Sequence, residues 1–351
     1  MRPMLKPALR RLWRDASTLQ LGIDPRHAVV VSGIGAADRE LLSLLDGTRE
    51  VEAAIAEASR RGGSPERATA LVTLLRDAAV LEDADAAGRS GTTAGRFAPD
   101  QLSLSLCDAR PGGAAERLAA RRAGFVEVLG AGRVGATLAA LLSAAGVGRV
   151  TVDDPALIRP ADLAPGGLRG VGVHHRRGDA ANALVASVRT AQPVRTGGDG
   201  RVLVVLSPAG PVVPPEWLMR VRARPHLLVA VRETSAVIGP LVLPGASPCL
   251  RCLELARADR DPAWPVLAAQ LVGDQRAVEP CDVALASAAA ALTAMHALAW
   301  LDSGRADGAV PASPLLGGVL EISLIDLSMR RRSVVAHPDC GCTAALPALA
   351  S

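Results

Sequence analysis

Lysine is almost missing from this chain. Lys6 is the single one in 351 residues, so beyond residue 6 no lysine amine can meet a phosphate, and arginine would have to serve there with a different geometry. The features of an export signal are scarce too. MRPMLKPALRRLW carries positive charge, but no apolar h-region follows and no small-residue cleavage site, so no secretory signal is expected. Without one, the six cysteines are expected as reduced thiols or metal ligands, and the protein is expected in the cytoplasm. Charge of one sign is not in excess: the formal balance is only +4, and nothing in it calls for nucleic acid or an anionic membrane. The one run near membrane-spanning length, Val283 to Leu301, is mostly alanine, carries Ser287, Thr293 and His296, and lies between Asp282 and Asp302. It reads as a buried or half-buried helix. No internal repeat is present.

Length sets a prior of two domains, and the pattern divides accordingly into 1–85, a linker over 86–113, and 114–351. Leu19 to Ile23 and Ala28 to Val31 are β-rich runs joined by the turn Asp24-Pro25-Arg26, and together read as a hairpin. Three helices follow: Ala37 to Leu45, Arg49 to Arg60 capped by Thr48, and Glu66 to Asp77 behind Ser64-Pro65. This is a small, winged-helix-like α+β domain. A groove-reading helix needs a basic face, whereas here Arg67 and Arg76 accompany Glu66 and Asp77, and the acidic Leu81-Glu82-Asp83-Ala84-Asp85 follows. DNA binding is therefore disfavoured, and a docking domain is the plainer alternative. Ala86 to Pro99 has a linker composition, and the alternation of Leu102, Leu104 and Leu106 suggests a stray strand.

The rest of the chain is organised around GFVEVLGAGRVGATLAALLSAAGVGRVTVDD, Gly124 to Asp154, a strand, a glycine turn, a helix and a second strand. Gly130, Gly132 and Gly135 have G-x-G-x-x-G spacing: Gly130 reverses the chain, Gly132 lets a ligand approach the backbone, and Gly135 packs helix on strand. The helix start would face a phosphate, and Asp153, about 20 residues on, suits a ribose hydroxyl. A packing turn that binds nothing is the alternative. Strands and helices alternate beyond it, including Val202 to Leu206, a helix opened by Pro214-Pro215, and Leu227 to Val231, as in a Rossmann-like α/β fold with a doubly wound, mostly parallel sheet. Two late strands are expected at Val319 to Leu327 and Ser333 to Ala336.

Cys249 and Cys252 form a C-x-x-C pair, and Cys340 and Cys342 a C-x-C pair far along the chain. Each pair supplies half of a tetrahedral site, and four thiolates leave no open position, so the metal expected is structural zinc clasping distant segments. Four reduced thiols, or a redox C-x-x-C, are the alternatives. Cys281 follows Pro280 at a helix start, where a thiolate nucleophile is conceivable and a plain small cysteine commoner. His337 stands close to Cys340. His174-His175-Arg176-Arg177 is a basic cluster that suits either phosphate or solvent.

The glycine turn with its acid, the apolar strand, PCLRC and the terminal CGC, in that order, resemble the ThiF/MoeB/HesA branch of the ubiquitin-activating enzyme superfamily over about Ala115 to Cys342. The resemblance implies ATP at the glycine turn, ribose at Asp153, zinc on both cysteine pairs, adenylation of a peptide or small-protein C-terminal carboxylate, and a dimer. The departures fall on the phosphates. The segment where the family carries an Asn and an Arg reads IRPADLAPGGL, with Asp162 near the Asn position; no lysine is present, leaving Arg176 or Arg177; and Ser207 in LVVLSPAG stands where a magnesium-linked acid is expected. A phosphoryl site stripped of these charges loses its transition-state stabilisation, so no catalytic residue is assigned and ATP use is doubtful. The first domain resembles PqqD-like peptide-recognition domains, where a leader peptide adds a strand to the hairpin edge. That implies peptide contacts at Val29, Val30, Val31, Arg67 and Leu71. The combination resembles leader-binding partners of azole-forming cyclodehydratases, with a precursor peptide and a modifying enzyme as partners. A working adenylyltransferase is the rival function, and a DNA-binding regulator a weaker one.

Overall fold

The computed structural model describes residues 1–85, 95–170, 174–189, 200–273, 278–303 and 313–342. They fall into two compact units, Met1–Ala119 and Ala120–Ser351. Residues 86–94 of the expected linker lie outside the described residues.

In the first unit β1 (Pro3–Leu5), β2 (Arg11–Trp13), β3 (Leu19–Leu21) and β4 (Val29–Val31) precede α1 (Ala36–Leu44), α2 (Val51–Arg60), α3 (Pro65–Asp77) and β5 (Leu81–Asp83). The expected hairpin is there, with Leu19 opposite Val31 and Leu21 opposite Val29, but β2 adds a third strand on the far side of β3. β1 pairs antiparallel with β5. Strands of three residues are too short to show a period, which is why β1 and β2 escape sequence reading. Leu19, Leu21, Leu41, Leu45, Leu71 and Leu75 fill the core between strands and helices. The α2 cap is a correction: Glu50, not Thr48, holds that position. Thr48 is engaged one turn earlier, its N–H and hydroxyl both donating to Asp46 Oδ1 at 2.9 and 2.6 Å.

The expected strand at Leu102 to Leu106 is instead α4 (Ala98–Leu106), within the span assigned to a linker. Gln101 and Ser105, one turn apart, are its buried pair, so the helical period overrides the alternation of leucines. Carbonyls at and just beyond its C-terminus hold the chain's lysine: Lys6 Nζ, itself buried, donates to Ser105 O at 2.6 Å and Asp108 O at 2.7 Å. Burial pulls the Lys6 pKa down, against the attraction of Glu82 and Asp108. α5 (Gly113–Ala123) leads into the second unit.

The second unit continues as β6 (Phe125–Leu129), α6 (Arg133–Ala144), β7 (Arg149–Asp153), α7 (Arg177–Val188), β8 (Val202–Leu206), α8 (Pro215–Val221), β9 (His226–Arg232), β10 (Ser235–Val242), α9 (Leu250–Arg260), α10 (Trp264–Gly273), α11 (Val283–Asp302), β11 (Gly318–Ser323) and β12 (Met329–Ser333). They build one seven-stranded sheet in the order β12-β11-β10-β9-β8-β6-β7. The four strands β9, β8, β6 and β7 run parallel, and β10, β11 and β12 extend them as an antiparallel meander. Side chains alternate between two buried faces: Leu203 and Val205 join Leu138, Leu142 and Ala289 in the larger cluster, while Val204 and Leu206 meet Val221 and Leu250 on the other. This is the doubly wound arrangement the pattern implied. α11 is long and apolar enough to cross a membrane, yet its Leu285, Ala289, Thr293, Ala297 and Leu301 are buried in this core. The late hairpin turns earlier than expected. Asp326 Oδ1 accepts from Ser328 N–H and Oγ, so β11 stops at Ser323 and the second strand is the exposed MRRRS of Met329–Ser333.

Candidate functional site: a glycine turn, a four-thiol cluster and an open strand edge

The glycine turn lies where β6, β7 and β8 end together, with Leu129 opposite both Asp153 and Leu206. Gly130 has φ +97°, and a Cβ there would sit 2.0 Å from Ser207 O. A Cβ on Gly135 would sit 2.0 Å from Gly130 O. Only glycine fits either place. Gly132, which caps α6, has nothing within 4 Å of such a Cβ, so a ligand can reach the backbone at the helix start, where N–H groups lack intrahelical partners.

Asp154, which sequence reasoning passed over in favour of Asp153, is the acid that builds the turn. It is buried; Oδ2 accepts Ala131 N–H at 2.8 Å, and Oδ1 accepts Ala156 N–H at 3.0 Å. Arg177, first residue of α7, bridges Asp154 Oδ1 at 3.3 Å and Asp162 Oδ1 at 3.1 Å, so its guanidinium is committed within the protein. Arg176 and both histidines before it are exposed. Asp153 projects from the end of β7 and pairs with Arg220 of α8 at 2.5 Å, both side chains being largely exposed. Arg220 also holds Glu127. Ser207 is buried against the turn, its N–H donating to Leu129 O at 2.8 Å, and the stretch 207–213, SPAGPVV, contains no acid. Arg133, within the turn, was also missed. It donates to Ala161 O at 2.6 Å and Cys281 O at 2.7 Å, tying two loops beside the turn. Burial pushes the Cys281 thiol up, as does Asp282, against the pull of Arg133. A thiolate nucleophile is disfavoured there.

Cys249 caps α9 and Cys252 lies in its first turn, while Cys340 and Cys342 flank Gly341, whose φ is +69°. The four sulfurs lie within 4.8 Å of one another. Cys249 is 3.9 Å from Cys252 and 3.4 Å from Cys340, and Cys252 is 3.3 Å from Cys342. Four thiolates around zinc at about 2.3 Å require sulfur separations of about 3.8 Å, so this cluster fits such an ion. His337 supports it through its backbone, its N–H donating to Cys252 Sγ at 3.3 Å, while its ring meets Asp259 at 2.9 Å.

In the first unit β4 pairs with β3 on one side and is the sheet's edge on the other. Val31 is buried, Val29 half-buried and Val30 exposed. The other two residues expected at a peptide are placed differently. Leu71 lies in the core, and Arg67 clamps α1, donating to Asp38 Oδ1 at 2.9 Å and Gly33 O at 2.6 Å. The apolar side chains that α3 leaves outward are Ala70 and Leu74. A cavity of about 320 Å³ opens at the start of β4, between Ala28 and Val29, the α3 terminus at Ala78 to Val80, and Leu106.

No protein-family model and no curated protein matches the chain. Solved structures do. The E. coli MccB crystal structure with succinimide superposes with a TM-score of 0.70 at 14% identity, covering 99% of this chain and 100% of that one. MccB with AMPCPP and MccA gives 0.69 at 14% identity over 98% and 99%. The heterocyclase TruD gives 0.61 at 14% identity, over 97% of this chain but 42% of TruD. At such identity the likeness establishes the fold: this is the ThiF/MccB fold.

Proposed function

We propose that this protein captures a ribosomally made precursor peptide on the edge of β4 and presents it to a partner modifying enzyme, such as an azole-forming cyclodehydratase, without adenylating it. The observation that carries the reading is the open β4 edge with exposed Val30 beside a cavity. Unpaired backbone groups on such an edge are a template for an added strand. Support comes from MccB having been crystallised with its peptide MccA, and from TruD, a heterocyclase, sharing the fold. The second unit is the scaffold, its four cysteines holding one structural zinc. The phosphate end of its glycine turn argues against turnover, since Arg177 is spent on Asp154 and Asp162 and 207–213 has no acid.

A working adenylyltransferase is the second reading, favoured by end-to-end correspondence with MccB, which has been crystallised with ATP, and by the open approach to Gly132. Two measurements separate the readings. A labelled precursor peptide should bind the full chain, and lose affinity when its own backbone amides are N-methylated or when Val30→Pro is introduced in a still-folded protein. ATP–pyrophosphate exchange should be absent; robust exchange abolished by Asp153→Ala would make the enzyme reading correct, and no peptide binding would end the capture reading.

A further inference from the structure

A second cavity, of about 280 Å³, lies in the second unit away from the glycine turn's residues, between α9 and the antiparallel end of the sheet. Its floor is apolar: Val237, Leu253, Val319 and Val334 form a small cluster of their own. Its walls carry four arginines, Arg232, Arg257, Arg260 and Arg332, against the single lining acid Glu321. That carboxylate is spent on Arg332 at 2.8 Å, and nearby Glu254 on Arg257 at 2.5 Å. Arg232 and Arg260 are left without an ion pair among the described residues.

Arg232 is the unusual member. It ends β9 half-buried, and its Nε is a buried donor with no hydrogen-bond partner among the described residues. Burial, followed by the charge of Arg257, pulls its pKa down to about 10. A buried, unmatched Nε and a desolvated charge cost stability, and an anion held in the cavity that Arg232 lines would offset that charge.

We propose that this cavity binds an organic oxyanion, a carboxylate or phosphate carried on a short apolar body, with Arg232 as the central ligand group and Arg257 and Arg260 beside it. Guanidinium forks match the geometry of both oxyanions, and the valine and leucine floor receives the apolar body. The volume suits a single small group rather than a nucleotide. The site is independent of peptide capture on β4.

Calorimetric titration of the full chain at low ionic strength tests this, with inorganic phosphate and glutarate as separate arms to distinguish the two oxyanions. Saturable one-to-one binding of either probe is expected, weakened about tenfold or more by Arg232→Met, since a charge-assisted hydrogen bond is lost, and unchanged by Arg222→Met at an exposed site. Arg232→Met removes a desolvated charge, so its melting temperature should not fall; if it does, Arg260→Met on the exposed rim supplies the same test. Failure of both probes to bind saturably, or binding that survives both substitutions, overturns the proposal.

Discussion

Stripping the metal from the four-cysteine cluster tests the most specific chemical expectation. The cluster joins Cys249 and Cys252 to Cys340 and Cys342, with Cys249 and Cys340 separated by 91 positions in sequence. If a zinc ion clasps them, its loss releases a loop of that length into the unfolded ensemble, and closing such a loop costs about 4 kcal/mol as (3/2)RT ln n. For a unit of roughly 200 residues each kcal/mol moves the midpoint by about 2–4 °C, so chelation, or Cys252→Ser, should lower the melting temperature by about 8–16 °C. Elemental analysis of protein purified without chelator should find one zinc per chain. Cys107→Ser and Cys281→Ser should leave both values unchanged, because neither belongs to the cluster. The reasoning fails if careful preparations hold no metal, their four thiols react freely with a thiol reagent, and added zinc leaves the melting curve where it was.

Other outcomes follow from the packing. Asp38 caps α1 through Gly35 N–H and takes the Arg67 fork, whose hydrogen bonds hold its carboxyl below the usual range despite burial. A depressed carboxyl stabilises fully above its unfolded value of about 3.9 and loses that contribution as pH falls through the lower folded value; Asp38→Asn should cost about 1–2 kcal/mol at pH 7 and flatten the acid limb of urea midpoints measured down to pH 2.5. Gly135→Ala should destabilise by about 2 kcal/mol in thermal unfolding, as its methyl would meet Gly130 O at a cost exceeding the helix-propensity gain of about 1 kcal/mol. Gly132→Ala meets open space and loses only a favoured N-cap residue, so it should cost about 1 kcal/mol or less. A fragment ending at residue 85 removes the carbonyls that receive Lys6 and the Gly112 N–H that Glu82 accepts, so proteolysis should digest it well before a fragment ending at residue 119.

What the sequence could say depended on the length over which a signal repeats. The βαβ unit was legible because five strand residues, three spaced glycines and a twelve-residue helix all agree. The four cysteines were legible because ligand spacing is local chemistry. Strands of three residues at Pro3–Leu5 and Arg11–Trp13 offer no period, and Leu102, Leu104 and Leu106 offered a false one inside a helix. The roles of Asp154, Arg133 and Arg177 depend on partners 15 to 148 residues distant, which no spacing rule reports. Leu71 is a peptide contact only by resemblance, and a family pattern does not say which way a helical side chain turns in this chain; burial decides that it faces the core.

The charges around the glycine turn also decide which end of a nucleotide placed there would find partners. Asp153, the proposed ribose acid, is already paired with Arg220, and exposure decides whether that pair closes it to a ligand. The Asp153 side chain is 52% exposed and that of Arg220 40%, and an ion pair in such a position is worth at most about 1 kcal/mol. A ribose hydroxyl can compete with it. The phosphate end is different in kind: Arg177 is largely buried between Asp154 and Asp162, and withdrawing it to meet a phosphate would leave two carboxylates uncompensated, at a cost of several kcal/mol. No lysine and no acid in 207–213 offset that loss. On the proposed reading, then, the turn can admit a nucleoside while lacking the charges that phosphoryl chemistry requires. Adenosine and AMP should therefore compete with ATP at comparable affinity, whereas a site built around the triphosphate would favour ATP strongly.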